Sequence, residues 1–354
     1  MPSASHNCGF IRTGLTAAVL VALTATARAH EVKPTEAPTE QARTNLTKPV
    51  DAEIKLTRLR ELNITLPNGK QSFVSSASGL VHIGRYFHVV SDDELHLASF
   101  LVGSEQPGEL LRLLPGDLPE APAARKKNKP DFEALLVLPP DARNLHGTLL
   151  ALGSGSRSNR RRGVVIPLDA GGKALASNPV DLAALFTPLD AKFKETNIEG
   201  AAIVGDELLL FQRGNVGAGT NAIVAYPLAV TLRFLADPSV ELPAPDIRIV
   251  DLGTVKNVPL GFTDAAALPD GRIVFSAAAE DSANAYDDGS LAGAVIGLVD
   301  RTGAILSKQP LSPMVKVEGV AARLNGGSLS LNLVTDADDP STPASLYEAV
   351  LSGR

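Results

Sequence analysis

Residues 199–214 read Glu-Gly-Ala-Ala-Ile-Val-Gly-Asp-Glu-Leu-Leu-Leu-Phe-Gln-Arg-Gly. The segment divides into a small-residue strand from Glu199 to Val204, a turn at Gly205-Asp206 and a more apolar strand from Glu207 to Phe211, closed by Gln212-Arg213-Gly214. Turn residues between two apolar runs are a hairpin signal. A third strand, Ala222 to Tyr226, follows. The plan returns as Asp264 to Leu268, a turn at Pro269-Asp270-Gly271, Arg272 to Ser276, the pair Glu280-Asp281, and Gly293 to Val299.

Outward from this segment, five units begin at Ser78, Glu133, Glu199, Asp264 and Glu318, spaced 55, 66, 65 and 54 residues apart. Those periods fit propeller blades with some long loops. Gly and Ala dominate the first strand of a unit because strands nearest a propeller axis converge and leave little room for bulk. Fourth strands read as Glu109 to Leu113, Asp246 to Val250 and Ala304 to Ser307. The last unit has three strands, Val317 to Ala322, Ser328 to Val334 and Ala344 to Val350, and then the chain ends. The segment Ile54 to Ile64 is expected to supply its missing outer strand and close the ring, which removes exposed sheet edges. The expected fold is an all-β propeller over residues 51–354 with five blades. A sixth is left open by the longer intervals and by Ala174 to Phe193. A stacked pair of β-sandwiches explains the alternation but not the recurrence of acids at equivalent places.

A hydrophobic content of 44% in 354 residues supports a real core and excludes a disordered or fibrous chain. The net charge of -6 argues against a general nucleic-acid binder, and the absence of Trp leaves few stacking platforms. One Cys excludes an internal disulfide and a four-thiolate metal site. Arg12, the apolar run Leu15 to Ala27 and Ala27-Arg28-Ala29 form a secretory signal pattern over residues 1–29, followed by a flexible leader over 30–50. The apolar run is too short to span a bilayer comfortably, and Cys8 precedes it, where a lipoprotein cysteine would follow. The expected location is the periplasm or the extracellular medium, without stable membrane insertion. Oligomeric state is not readable.

Glu133, Glu199, Asp264 and Glu318 fall at or just before the innermost strands, which places them around one mouth of a central channel. Four converging carboxylates require compensation by a cation, a positive side chain or shared protons. Three roles follow: ligands for a hard cation, Ca²⁺ first; acid/base groups in a pocket; or acceptors of backbone N–H bonds from the next blade. The second strands end in Asp92-Asp93-Glu94, Gly153-Ser154-Gly155-Ser156, Gln212-Arg213-Gly214, Glu280-Asp281 and Asp336-Ala337-Asp338-Asp339. These ends are expected at the other end of the inner region or on its loops. Asp336 and Asp338 alternate like calcium-loop ligands, but the full loop spacing is missing. Arg157, Arg160, Arg161 and Arg162, with Arg125, Lys126, Lys127 and Lys129, suggest a positive rim suited to phosphate or carboxylate. No zinc-hydrolase or nucleophile-elbow pattern appears.

The stretches Lys129-Pro130-Asp131-Phe132-Glu133-Ala134-Leu135, Leu152-Gly153-Ser154-Gly155-Ser156, Asn197-Ile198-Glu199-Gly200 and Val317-Glu318-Gly319 resemble an uncharacterised family of secreted bacterial β-propeller proteins. More distantly, Glu199-Gly200, Glu318-Gly319 and Ser91-Asp92-Asp93 are similar to the propeller family called esterase-like activity of phytase. Asp264-Ala265 and Glu133-Ala134 depart from that pattern at the Gly, and Ser78 departs at the acid. The nearer resemblance implies a propeller without established activity, and the distant one implies ester or phosphoester hydrolysis. The first expectation is therefore a module that binds a small molecule, cation or protein partner on its loop face, with metal candidates Glu133, Glu199, Asp264 and Glu318. The alternative is a metal-assisted hydrolase with catalytic candidates Glu133, Glu199, Glu318, Arg157 and Arg213.

Overall fold

The computed structural model describes residues 53–214, 219–281 and 289–352. The signal over 1–29 and the leader over 30–50 lie outside the described residues. Five antiparallel sheets radiate around one axis, so the five-blade expectation holds. Blade 1 comprises Ala77–Ile83, Tyr86–Ser91, His96–Leu101 and Glu109–Arg112. Blade 2 comprises Phe132–Leu138, Thr148–Gly153, Arg162–Pro167 and Asn178–Asp181. Blade 3 comprises Ile198–Val204, Glu207–Gln212, Ala222–Pro227 and Asp246–Ile249. Blade 4 comprises Gly261–Ala267, Ile273–Asp281, Ser290–Val299 and Ile305–Ser312. The long interval before blade 3 holds the short helix Ala183–Phe186, and the helix Leu228–Ala236 lies inside blade 3's outer connection, so neither interval hides a sixth blade.

Blade 5 takes Val317–Asn325, Ser328–Thr335 and Ser345–Leu351 from the end of the chain and its outer strand, Thr57–Glu61, from the beginning. Just before that strand, Ile54–Lys55 pairs in parallel with Leu311 and Ser312 at the edge of blade 4. One N-terminal segment therefore bridges two blades. Arg60 fixes it to a third: its guanidinium donates to the carbonyls of Ser104 at 2.5 Å and Gln106 at 2.8 Å and lies 5.0 Å from the Phe100 ring centre.

The core consists of five apolar clusters, one between each pair of neighbouring blades. Successive strand side chains point to opposite faces, and here both faces are covered. Leu208 and Leu210 therefore pack toward blade 2, while Leu209 and Phe211 pack toward blade 4. This explains why a second strand reads as an unbroken apolar run. Phe211, Phe262 and Phe275 meet edge-to-face between blades 3 and 4, with ring centres 5.3 and 5.4 Å apart.

The inner strands converge closely enough that a Cβ on Gly319 would lie 2.1 Å from the Ser78 carbonyl oxygen, and one on Gly200 2.7 Å from the Ala265 nitrogen. Only glycine permits that approach. Among the described residues no helix is long and apolar enough to cross a membrane.

Candidate functional site at one mouth of the propeller

Each innermost strand carries a register shift near its start. In blade 3, Ile198 pairs with Gln212 and Gly200 with Phe211, which leaves Glu199 as the extra, bulged residue. The same shift leaves out Glu133 in blade 2 and Glu318 in blade 5, and Ser78 holds the corresponding place in blade 1. A bulge re-aims one side chain without disturbing the register of the rest of the strand.

In blade 4 the bulged residue is Thr263, not Asp264. Asp264 stands one residue further on, at the position of Gly200 and Gly319, so its alignment with the three glutamates is corrected by one residue. Its carboxylate accepts the N–H groups of Ala265 and, from the next blade, Val320, both at 2.7 Å. The Thr263 hydroxyl also reaches blade 5, 2.6 Å from the Val317 carbonyl. Of the three roles read for the ring of acids, Asp264 has the geometry of the interblade acceptor.

The ends of the second strands lie at the same mouth, not at the opposite end. In an antiparallel hairpin the start of one strand faces the end of the other, so Gln212 opposes Ile198 and Thr335 opposes Val317. Residues widely separated in sequence thereby form one charged network.

In its blade 3–5 half, Arg213 pairs with Glu280, with Glu199 at 3.4 Å and with Glu318 at 3.9 Å. Its path passes over Gly261, where a Cβ would lie 2.8 Å from the Arg213 Cγ. Lys316 binds Asp338 at 2.7 Å, Glu280 at 2.9 Å and Glu318 at 3.2 Å. Asn197 donates to Glu199 at 2.5 Å. The Asp336 side chain accepts the Asp338 N–H at 2.7 Å, so the calcium-loop-like alternation forms a turn that directs Asp338 at Lys316.

In the blade 1–2 half, Lys129 pairs with Asp92 and lies 3.0 Å from Asp131. Asp131 also accepts from Ser154 at 2.5 Å and Arg160 at 2.7 Å. Arg125 is drawn to Glu94 at 2.6 Å and Asp93 at 3.4 Å. Carboxylate oxygens of Asp92, Asp131 and Glu133 lie within 4.8 Å of one another. Asp92 Oδ1 is buried without a hydrogen-bond partner.

Arg213, Glu133, Glu199 and Glu318 thus stand at the same mouth. Arg157 occupies the start of the short turn Ser158–Arg160, and the guanidinium that turn delivers to Asp131 is that of Arg160. Half of the positive rim read for phosphate is directed at carboxylates: Arg125, Lys129, Arg160 and Arg161 bind acids, the last reaching Asp190 at 2.6 Å. Lys316 was not among the candidates. Its signal is its place two residues before the bulge, a position occupied in the other blades by Ser76, Asp131, Asn197 and Gly261.

The electrostatics follow from burial. Withdrawal from water raises the carboxyl of Glu133 well above its ordinary range, and the charges of Glu199, Asp131 and Asp92 raise it further. Burial also holds Glu318 and Asp264 well above theirs, although Lys316 and Arg213 oppose the effect at Glu318. At Glu280 burial is outweighed by Arg213 and Lys316, and its carboxyl lies below the usual value. Burial, then the charge of Asp92, brings Asp336 up to about 7.

Because Asp336 would titrate near 3.8 in water, the folded state holds its proton more tightly than the unfolded chain does. The stability this contributes is fully present below about pH 4 and is lost as pH rises through about 7. Glu133 and Glu318 act in the same direction. Asp336→Asn is expected to flatten the decline of the thermal midpoint between roughly pH 4 and 7. Parallel declines in both proteins would exclude Asp336 as a source.

A cavity of about 490 Å³ is lined by Glu207, Pro227, Pro243, Asp246, Arg248 and Arg301 beside the outer strand of blade 3. The Arg248 guanidinium is occupied there by Glu207, Asp246 and the Arg301 carbonyl.

Residues 73–351 match the model of a family described as "Family of unknown function (DUF6929)". No curated protein matches the chain. Among solved structures, a luciferin-regenerating enzyme is 13% identical, with 87% of this chain and 98% of that chain covered and a TM-score of 0.42. The glutaminyl cyclase of Myxococcus xanthus is 12% identical, with 86% and 100% covered and a TM-score of 0.44. These likenesses concern architecture and carry no chemistry to this chain.

Proposed function

The chain belongs to the family of unknown function DUF6929, and from that premise we propose that it is a binding propeller whose charged mouth takes a small cationic ligand, a divalent cation such as Ca²⁺ first. The observation that carries this reading is an acceptor surplus at one point. Asp92 Oδ1 is buried and unbonded, and carboxylate oxygens of Asp92, Asp131 and Glu133 lie within 4.8 Å of one another. Buried acceptors left without donors cost free energy, and a hard cation with oxygen ligands removes that cost. Asp92, Asp131 and Glu133 are the residues that would hold it. The secretory pattern of residues 1–29 supports action in the periplasm or outside the cell.

The phytase-like alternative assigns water activation to Glu133, Glu199 or Glu318 and neutralisation of developing negative charge to Arg157 or Arg213. The geometry favours it less, because Arg213 is committed to Glu199, Glu280 and Glu318. A mouth rich in carboxylates also repels a phosphoester.

The test is thermal unfolding of metal-stripped protein with and without millimolar Ca²⁺, with Mg²⁺ as the comparison. A ligand of the folded state at about 100 times its Kd adds roughly 2.7 kcal/mol. Glu133→Gln is expected to stabilise the stripped protein at pH 7–8 by about 1–2 kcal/mol, since it removes a carboxyl whose ionisation burial and neighbouring acids oppose, and to abolish most of the Ca²⁺ shift. Equal Ca²⁺ shifts in both proteins, or none in the wild type, would overturn the assignment.

A further inference from the structure

The cluster that the proposed cation would enter already contains a positive charge. The Lys129 ammonium pairs with Asp92 and lies 3.0 Å from Asp131, which are two of the three carboxylates in the group. Only 13% of the Lys129 side chain is exposed. Burial opposes its charge, but Asp92, Asp131 and Glu133 outweigh that and raise its pKa. Held by two carboxylates, the ammonium leaves the cluster by displacement.

Lys129 is delivered by an unusual segment. It caps the C-terminus of the helix Pro122–Asn128, none of whose residues is buried. Apolar packing therefore does not pin this helix to the propeller. Its anchors are polar: Arg125 on Asp93 and Glu94, Arg160 on the Lys126 carbonyl at 2.7 Å, Asn159 on the carbonyls of Lys127 and Lys129 at 3.3 and 3.1 Å, and the Lys129 ammonium itself. An element held this way sits at the low end of local stability.

We infer that Lys129 is a tethered competitor: its ammonium occupies the Asp92–Asp131–Glu133 cluster in the ligand-free protein, and a divalent cation displaces it and loosens the strap of residues 121–129. The inference rests on the reading of this cluster as a cation site. A tethered group acts at a high effective concentration, so a monovalent ion, which brings no more charge than the ammonium, does not compete. A divalent ion brings twice the charge to the same carboxylates and does. The tether thus sets selectivity for divalent over monovalent ions and couples occupancy of the mouth to the mobility of a surface helix.

The experiment has two arms. In wild-type protein, hydrogen exchange of residues 122–129 is measured with and without millimolar Ca²⁺, alongside elemental analysis of bound metal. Exchange there is expected to rise several-fold with Ca²⁺ while the blade strands stay unchanged. In Lys129→Met, with Lys129→Gln as a second variant should the first fold poorly, Ca²⁺ is expected to bind at least ten-fold more tightly and Na⁺ to begin to compete. Metal uptake by the wild type with unchanged affinity in the variants and an unchanged strap would overturn the competitor role and leave the cation site standing. No uptake by any of the folded proteins would overturn both.

Discussion

A chain lacking residues 51–62 is expected to show no cooperative thermal transition. That segment supplies the outer strand of blade 5 and the parallel addition to blade 4, so its loss leaves the Ser345–Leu351 edge unpaired. It also removes Ile54 and Leu62, which are 2% and 0% exposed, each contributing about 2–3 kcal/mol through burial. Arg60, with its bonds to the Ser104 and Gln106 carbonyls, goes with them. Together these losses rival the roughly 5–15 kcal/mol that holds a domain folded. Far-UV circular dichroism through a temperature ramp reads the result directly. A sharp transition at the wild-type midpoint would show that blade 5 does without its borrowed strand.

Arg213→Met is the second large effect, at about 3–5 kcal/mol near pH 7. The guanidinium, 9% exposed, faces Glu199, Glu280 and Glu318, all largely buried. Methionine replaces the bulk of the stem but leaves three carboxylates with Lys316 as their remaining close cation. The depressed pKa of Glu280 marks stability that is present above its ordinary value of 4.5 and lost as pH falls through its folded value. Removing Arg213 takes that contribution away, so the gap between variant and wild type is widest at neutral pH and narrows toward pH 4. Urea unfolding at pH 7.5 and pH 4 measures both gaps. Equal gaps would mean that the variant suffers from lost packing, not from unpaired charge.

The ring was legible because its cause is repetitive. Convergent inner strands need Gly and Ala, hairpin turns need Gly and Asp, and a borrowed strand leaves a matching surplus at one terminus and deficit at the other. Thr57–Glu61 falls inside the segment read as Ile54 to Ile64. The site was legible only in part. Glu133, Glu199 and Glu318 stand in corresponding register, but the spacing pattern cannot see a bulge, so Asp264 was aligned with them when Thr263 holds that place. The counter-charges were harder still. Lys316 and Lys129 precede their strands, and Arg213 reaches blade 4 past Gly261, a contact set by a missing side chain rather than by any motif. The basic segment was harder to read for a related reason: composition counts positive charges, whereas the fold decides which of them already have partners, as Arg125, Lys129, Arg160 and Arg161 do.

The bulges have an engineering consequence. None of Ser78, Glu133, Glu199, Thr263 or Glu318 belongs to the apolar clusters that join the blades. Each is a position at which the backbone steps out of register once and then resumes. The ring therefore carries five equivalent seats on a scaffold whose apolar packing is specified elsewhere, and three of them also carry polar ties: Thr263 to the Val317 carbonyl, and Glu199 and Glu318 to Arg213. Exchanging the residues at Ser78 and Glu133, the two seats outside those ties, offers a way to rewrite what the mouth recognises while the propeller that supports it stays the same.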